Sequence, residues 1–299
     1  MERIGHEWRG RRLVVLEGGA AGVELAQVIC RLGGEVVLVE GAERVLSRES
    51  TPLGVALGEA LRRDGIELVR GIHATAASRD GEEFVLQLED GRELRGDRLL
   101  VATGRRPRVE GIGLETVGID ANAHGVPVDA RMRAGQRLWA VGDITGIWQL
   151  THVVEYQGEV VASNILGEPR EAHYEAVPRV TYTDPQAAAV GSTEAEFSAT
   201  ARLSEVAKTA IYTHAYAKSN GFLTLLSDGA RLSGAYALGP DAGEWMQQAT
   251  LAIRARVSLD VLRDTIQPFP SFSEIHAAAL KALRHNIAAG RQAVGARSR

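Results

Sequence analysis

The chain has 299 residues, 45% of them hydrophobic and 24% charged, with a formal net charge of −4. That length suggests two domains, and the mild acidic balance excludes the electrostatic footprint of a nucleic-acid or anionic-membrane binder. No apolar run is long enough to span a bilayer, and the polar, basic N-terminus MERIGHEWRGRR has no signal-peptide core, so a cytoplasmic location is expected.

Arg12–Leu16 reads as a short apolar strand followed by a Gly-rich turn. A helix is predicted over about 22–32, with Val23, Leu25, Ala26, Ile29 and Leu32 on its apolar face, and Gly33-Gly34 stops it. EVVLVE (35–40) is a continuous apolar run of the kind buried in parallel sheets. A helix over 53–65, a strand over 66–71 and a meander over 82–96 with a turn at Asp90-Gly91 come next. A strand over 98–104 completes a βαβαβ order, which argues for a doubly wound nucleotide fold.

The turn departs from the dinucleotide fingerprint. That fingerprint wants three glycines, with the pyrophosphate on the helix N-terminus. Here the register is Glu17, Gly19 and Gly22. A carboxylate at the first position would face the pyrophosphate, and its Cβ would strain the turn. EGGAAG therefore reads either as a weakened dinucleotide site or as a purely structural turn. Glu40, ending the second strand, stands where a ribose-binding acid belongs and favours NAD; Arg44 keeps NADP open.

Further along, Leu138–Val141 reads as a strand ending in Gly142-Asp143, and 151–166 as a helix with Thr151 as N-cap. Near Tyr174 a third piece begins. Its reading is a strand, a turn at Asp184-Pro185 and a second strand, then a helix opened by a capping box in STEAEF (192–197). Three antiparallel strands follow, over 206–216, 221–228 and 231–240. After them come a long helix over 241–257 and a short one over 258–266 capped by Ser258. The last residues, 288–299, are polar and small and are expected to fray. No metal constellation, nucleophilic triad or GxxxxGK[ST] loop is present.

Five strings carry a resemblance. VVLEGGAAGVELA (14–26) is similar to a second, pyridine-nucleotide-binding turn, and LLVATGRRP (99–107) to the strand and loop that leave such a domain. LWAVGDITG (138–146) resembles a flavin-gripping Gly-Asp strand end, while VPRVTYTDPQAAAVGSTEAE (177–196) and IQPFPSFSEI (266–275) resemble the two ends of a dimerisation domain. In this order the chain resembles the class I flavoprotein pyridine nucleotide-disulfide oxidoreductases, such as dihydrolipoamide dehydrogenase and mercuric reductase. In that family a further segment, carrying the main FAD turn and the redox cysteine pair, precedes these strings, and these 299 residues do not contain it.

The resemblance implies an α/β fold: a Rossmann-like nucleotide-binding domain over 1–104, the C-terminal part of an FAD domain over 105–170, and an α+β C-terminal dimerisation domain over 171–299. It implies FAD and NAD as cofactors, a homodimer through 171–299, and either a separate chain supplying the FAD domain or none. Glu24 matches an acid facing the nicotinamide, with a solvated helix residue as the alternative. Gly104, Gly142, Asp143 and Thr151 join the cofactor-binding set with Gly19, Gly22 and Glu40, and Asp143 reads equally as a loop cap. His152 is a weak candidate for catalysis at the flavin side. The catalytic His of the family's C-terminal pair is replaced by Phe269, while its Glu remains as Glu274; His276 reads as a surface histidine. The only cysteine is Cys30, which excludes a dithiol cycle within this chain. The expected function is that of an FAD/NAD(P)H-dependent oxidoreductase-like protein incapable of dithiol cycling. The alternative is a redox-silent dimeric scaffold, or a non-redox enzyme reusing the flavin cleft.

Overall fold

The structure, a computed structural model, describes residues 7–120, 124–206 and 220–297. It divides into two compact units, one formed by 1–103 with 178–299 and the other by 104–177.

The N-terminal half of the first unit runs β1 (Arg12–Leu16), α1 (Ala20–Arg31), β2 (Glu35–Glu40), α2 (Thr51–Arg63) and β3 (Glu67–Arg70). β4 (Ala74–Asp80), β5 (Glu83–Leu88), β6 (Glu93–Gly96) and β7 (Arg98–Val101) follow. A four-stranded parallel sheet has the order β3-β2-β1-β7, and β4-β5-β6 form an antiparallel sheet of their own. This is the doubly wound arrangement the βαβαβ order predicts. Alternation along each strand explains its burial. Leu13, Val15, Val36 and Leu38 pack with Val23 and Ala26 of α1 and Leu53, Leu57 and Leu61 of α2. Val14, Val37 and Val39 point the other way, onto Leu86 and Leu88 of the antiparallel sheet. Both faces are covered, so the strands are apolar throughout.

The second unit holds the hairpin of β8 (Arg133–Gly135) and β9 (Leu138–Trp139), and α3 (Thr151–Ile165). The strand expected over 138–141 thus stops at Trp139.

The rest of the first unit contains β10 (Arg179–Thr181), β11 (Gln186–Gly191), β12 (Phe197–Arg202), β13 (Phe222–Ser227) and β14 (Leu232–Gly239). Their antiparallel sheet has the order β10-β11-β14-β13-β12. Four helices follow: α4 (Ala242–Trp245), α5 (Gln247–Arg254), α6 (Leu259–Asp264) and α7 (Ile275–Arg297). Ala187, Ala189, Phe222, Tyr236 and Leu238 of this sheet share one core with α1 and α2.

Four expectations change. STEAEF opens no helix: its Phe197 begins β12, where Ala199 and Ala201 are buried at alternate positions, a period-2 signal that the capping-box letters masked. The long helix over 241–257 is two, interrupted at Met246 and ending at Arg254, and the Trp245 indole N–H donates to Pro240 O at 2.8 Å. The C-terminal stretch continues α7 to Arg297. On α1 the inward residue is Gln27, while Leu25 is 45% exposed. The strand over 206–216 lies, except for Val206, outside the described residues.

Candidate cofactor-binding turns

At the end of β1, Glu17 has φ +81°, the left-handed region that glycine adopts freely and other residues rarely do. Two backbone bonds hold it there: Glu17 N donates to Val39 O at 2.8 Å, and Leu46 N donates to Gly18 O at 2.9 Å. A side chain at Gly22 would run into the Glu17 carbonyl, so only glycine lets α1 pass this close to the turn. Gly19 is the exposed N-cap, with open space around it. The first turn of this 12-residue helix has neither a capping side chain nor an acid. Its N–H groups and the helix dipole therefore face outward, ready for an anion.

The acid at the end of β2 is already occupied. Glu40 is 4% exposed; its Oε2 accepts from Gly18 N and its Oε1 from Ala42 N, each at 2.8 Å. The Glu17 carboxyl lies within hydrogen-bond reach of that of Glu40. Burial first, and then the Glu40 charge, push Glu17 above the usual carboxylate range, while His73 partly offsets this. The His73 ring fills the space over Gly41, where a Cβ would collide with it. Sequence reasoning missed His73 because the chain reaches it only after α2 and β3. Arg44 is turned into its own loop, its Nη2 donating to Ser47 O at 2.9 Å and Glu49 O at 2.7 Å. Glu24 is neither simply solvated nor open to a ligand on both oxygens: its Oε1 accepts from Tyr182 N at 2.7 Å, tying α1 to the segment after β10.

In the second unit, Gly142 begins a 3-10 turn (Gly142–Thr145), and its N–H donates to the buried Gln157 Oε1 at 2.6 Å. Gln157 in turn donates to the Tyr174 hydroxyl at 2.9 Å. Asp143 is paired, its Oδ2 lying 2.9 Å from Arg105 Nη1, while Arg105 Nη2 donates to Gln149 O at 2.8 Å. Gly104 is exposed at φ +111°. Thr151 is not the N-cap of α3. Leu150 holds that position and Thr151 is the first helical residue, so its hydroxyl caps nothing. His152 is exposed in the first turn of α3.

Near the end of the first unit, Phe269 is 75% exposed and Glu274 ends a short 3-10 turn, its Oε2 buried without a hydrogen-bond partner among the described residues. His276 is not a surface residue. It is 1% exposed, its Nε2–H donates to Trp245 O at 2.9 Å, and its ring meets the Trp245 ring edge-on at 6.3 Å. Its polar letter concealed a core position between α4 and α7.

Tested against the implied cofactors, the two turns fit unequally. The α1 N-terminus suits a pyrophosphate, but Glu17 crowds the acid that would take ribose hydroxyls. At the second turn Asp143 is already paired with the exposed Arg105, so an FAD hydroxyl there would compete with that guanidinium for the carboxylate. Among the described residues no His/Cys/Asp/Glu group can hold a metal ion, and no helix is long and apolar enough to cross a membrane. Cys30 donates to Asp64 O at 3.2 Å, and burial raises its pKa, which leaves it a poor nucleophile.

A family model described as pyridine nucleotide-disulphide oxidoreductase matches residues 1–158, and that of the same family's dimerisation domain matches 177–280. The chain is 32% identical over 275 residues to a dihydrolipoyl dehydrogenase of Chlamydia muridarum, covering 89% of this chain and 59% of that one. With a mercuric reductase of Acidithiobacillus ferrooxidans it shares 35% identity, covering 88% and 49%. Among solved structures, LpdA of Mycobacterium tuberculosis superposes with a TM-score of 0.80 at 25% identity, covering 91% of this chain and 61% of that one. The HOCl-induced flavoprotein disulfide reductase RclA of Escherichia coli also gives 0.80, at 26% identity, with 90% and 64% covered. The chain thus spans about three-fifths of the length of the dihydrolipoyl dehydrogenases it matches.

Proposed function

Since the chain belongs to the pyridine nucleotide-disulphide oxidoreductase family, we propose that it is an FAD/NAD(P)H-linked oxidoreductase-type protein whose electron acceptor is not a disulfide but a non-thiol molecule such as a quinone. Its three parts, 1–104, 105–170 and 171–299, keep the roles of nucleotide binding, flavin contact and homodimerisation. The single observation that supports a non-thiol acceptor is Phe269 in place of the proton-transferring His. Phe cannot carry a proton, and the buried Glu274 oxygen beyond it has no hydrogen-bond partner among the described residues to orient.

NAD(P)H, the reduced form, would supply hydride when bound; the chain's own part is to hold the dinucleotide's pyrophosphate at the N–H groups of Gly19, Ala20 and Ala21. The Glu17–Glu40 pair weakens that grip. Calorimetric titration of NAD+ should therefore show weak binding that tightens about tenfold in Glu17→Gly, which removes roughly 1.4 kcal/mol of repulsion and turn strain. The gain should be larger at pH 8 than at pH 5, where the raised Glu17 pKa leaves more of the carboxyl protonated. Equal affinity in both proteins at pH 8 would sink this reading of the turn. We further propose that the chain alone retains little FAD; a stoichiometric flavin spectrum lost on Asp143→Ala would overturn that.

A further inference from the structure

The outer side of α7 is one-sided in charge. Residues 275–299 contain no Asp or Glu, but they hold Lys281, Arg284, Arg291, Arg297 and Arg299. They carry +5 in a chain whose total is −4, so residues 1–274 together carry −9. All five cations lie past residue 280, where the match to the dimerisation domain ends.

The inner side of α7 is fixed. Ile275, Ala279, Leu280, Leu283 and Ile287 are buried. Asn286 Nδ2 donates to Ser198 O at 2.8 Å and Arg291 Nη2 to Gly229 O at 3.1 Å, which ties the helix to β12 and to the turn between β13 and β14. These contacts set the rotation of the helix about its own axis. Its outer side then presents Ala277, Lys281, Arg284, Ala288 and Arg291, all exposed. Their spacing is 4-3-4-3, that of a seam along which one helix packs against another. Lys281 and Arg291 stand roughly 15 Å apart along the axis. Neither the Lys281 nor the Arg284 side chain forms an ion pair among the described residues.

Other occupants of a cationic face fit poorly here. A second copy of α7 would set like charges opposite one another. Helices that bind an anionic membrane also insert large apolar side chains, whereas the residues that share this seam with the cations are Ala277 and Ala288. A nucleic-acid duplex would run on past the helix over a body that carries −9, where repulsion opposes it. A short acidic helix meets none of these obstacles. Its carboxylates match the guanidinium forks, the two alanines let its backbone come close, and it need be no longer than the seam. We propose that the outer seam of α7 docks an acidic α-helical segment of a partner protein, with Lys281, Arg284 and Arg291 facing its carboxylates. The assignment is independent of the dinucleotide and flavin readings.

The test titrates the full chain into a fluorescent, alanine-based peptide of about 20 residues, long enough to form a helix, with glutamates at the same 4-3-4-3 spacing. Anisotropy at about 0.15 M salt, where distant charges are screened, follows binding. Saturable binding is expected, at least about tenfold weaker for Lys281→Glu with Arg284→Glu. It should be little changed for Arg106→Glu with Arg108→Glu, which takes the same charge from another exposed site. A peptide of the same composition with its glutamates scattered around the helix should bind about tenfold less tightly than the first. Lys281 and Arg284 are exposed, so the α7 variant should melt like the parent. No saturable binding, equal binding of the scattered peptide, or no loss in the α7 variant overturns the proposal. So does a DNA duplex of about 20 base pairs, or a phosphatidylglycerol vesicle, that binds more tightly than the peptide and loses binding in the same variant.

Discussion

His276 shows how strongly one buried residue can couple this fold to pH. It lies 1% exposed, and burial holds its pKa down to about 4 against an ordinary 6.5, outweighing the hydrogen bond to Trp245 O. Between those values the unfolded chain holds a proton that the folded one refuses. The stabilisation is complete above pH 6.5 and is lost as pH falls toward about 4. The loss approaches about 3 kcal/mol, from the roughly 1.4 kcal/mol carried by each pH unit of difference. Chemical denaturation of the parent and of His276→Leu between pH 7 and 4 should show a steep fall in the parent that the variant largely lacks; parallel curves would contradict it. Glu17 works in the opposite sense. Its raised pKa means the folded state is favoured while it is protonated, and that advantage fades as pH rises through the raised value.

Among the elements, α1 shows what the sequence discloses and what it hides. The parallel strands were legible because burial on both faces writes an unbroken apolar run, as in EVVLVE. The inner face of α1 was misread because Leu25, a strongly apolar letter, points outward while Gln27, 4% exposed, points in. Gln27 earns that position through partners distant in sequence: its Nε2 donates to Asp64 Oδ2 at 2.7 Å and Asp184 O at 2.8 Å, and its Oε1 accepts from Asp184 N at 2.8 Å. Arg31 reinforces the junction through Asp64 and Asp184. No local pattern announces such bonds, nor the seating of Glu40 on Gly18 and Ala42. Gln27→Leu should keep the helix and its volume but orphan the Asp184 N–H, because Arg31 can still serve the carbonyl. A loss of about 2 kcal/mol with an unchanged denaturant slope is expected in urea unfolding. A loss under about 0.5 kcal/mol, the ordinary range for surface changes, would show the junction to be ornamental.

At the scale of the whole molecule the open question is what covers the apolar residues that the protomer leaves bare. Leu251 is 67% exposed, Val261 58%, Ile266 95% and Phe269 75%, all between α5 and the start of α7 and all within the match to the dimerisation domain. Single exposed hydrophobics need no explanation, but four on so short a stretch suggest a surface that is covered in use. A second copy of the chain is the expected cover, and an obligate interface of this kind should bury at least ~2,000 Å². Ile266 and Phe269 contribute little to the protomer's own core at such exposure. Ile266→Asp with Phe269→Asp should therefore leave the fold intact by circular dichroism while placing charges where the partner must desolvate them. Light scattering at micromolar concentration should report a dimer for the parent and a monomer for the double variant, with Val28→Asp, exposed on α1, behaving like the parent. A monomeric parent would refute the assembly itself. A double variant that stays dimeric would move the interface elsewhere on the C-terminal sheet and helices.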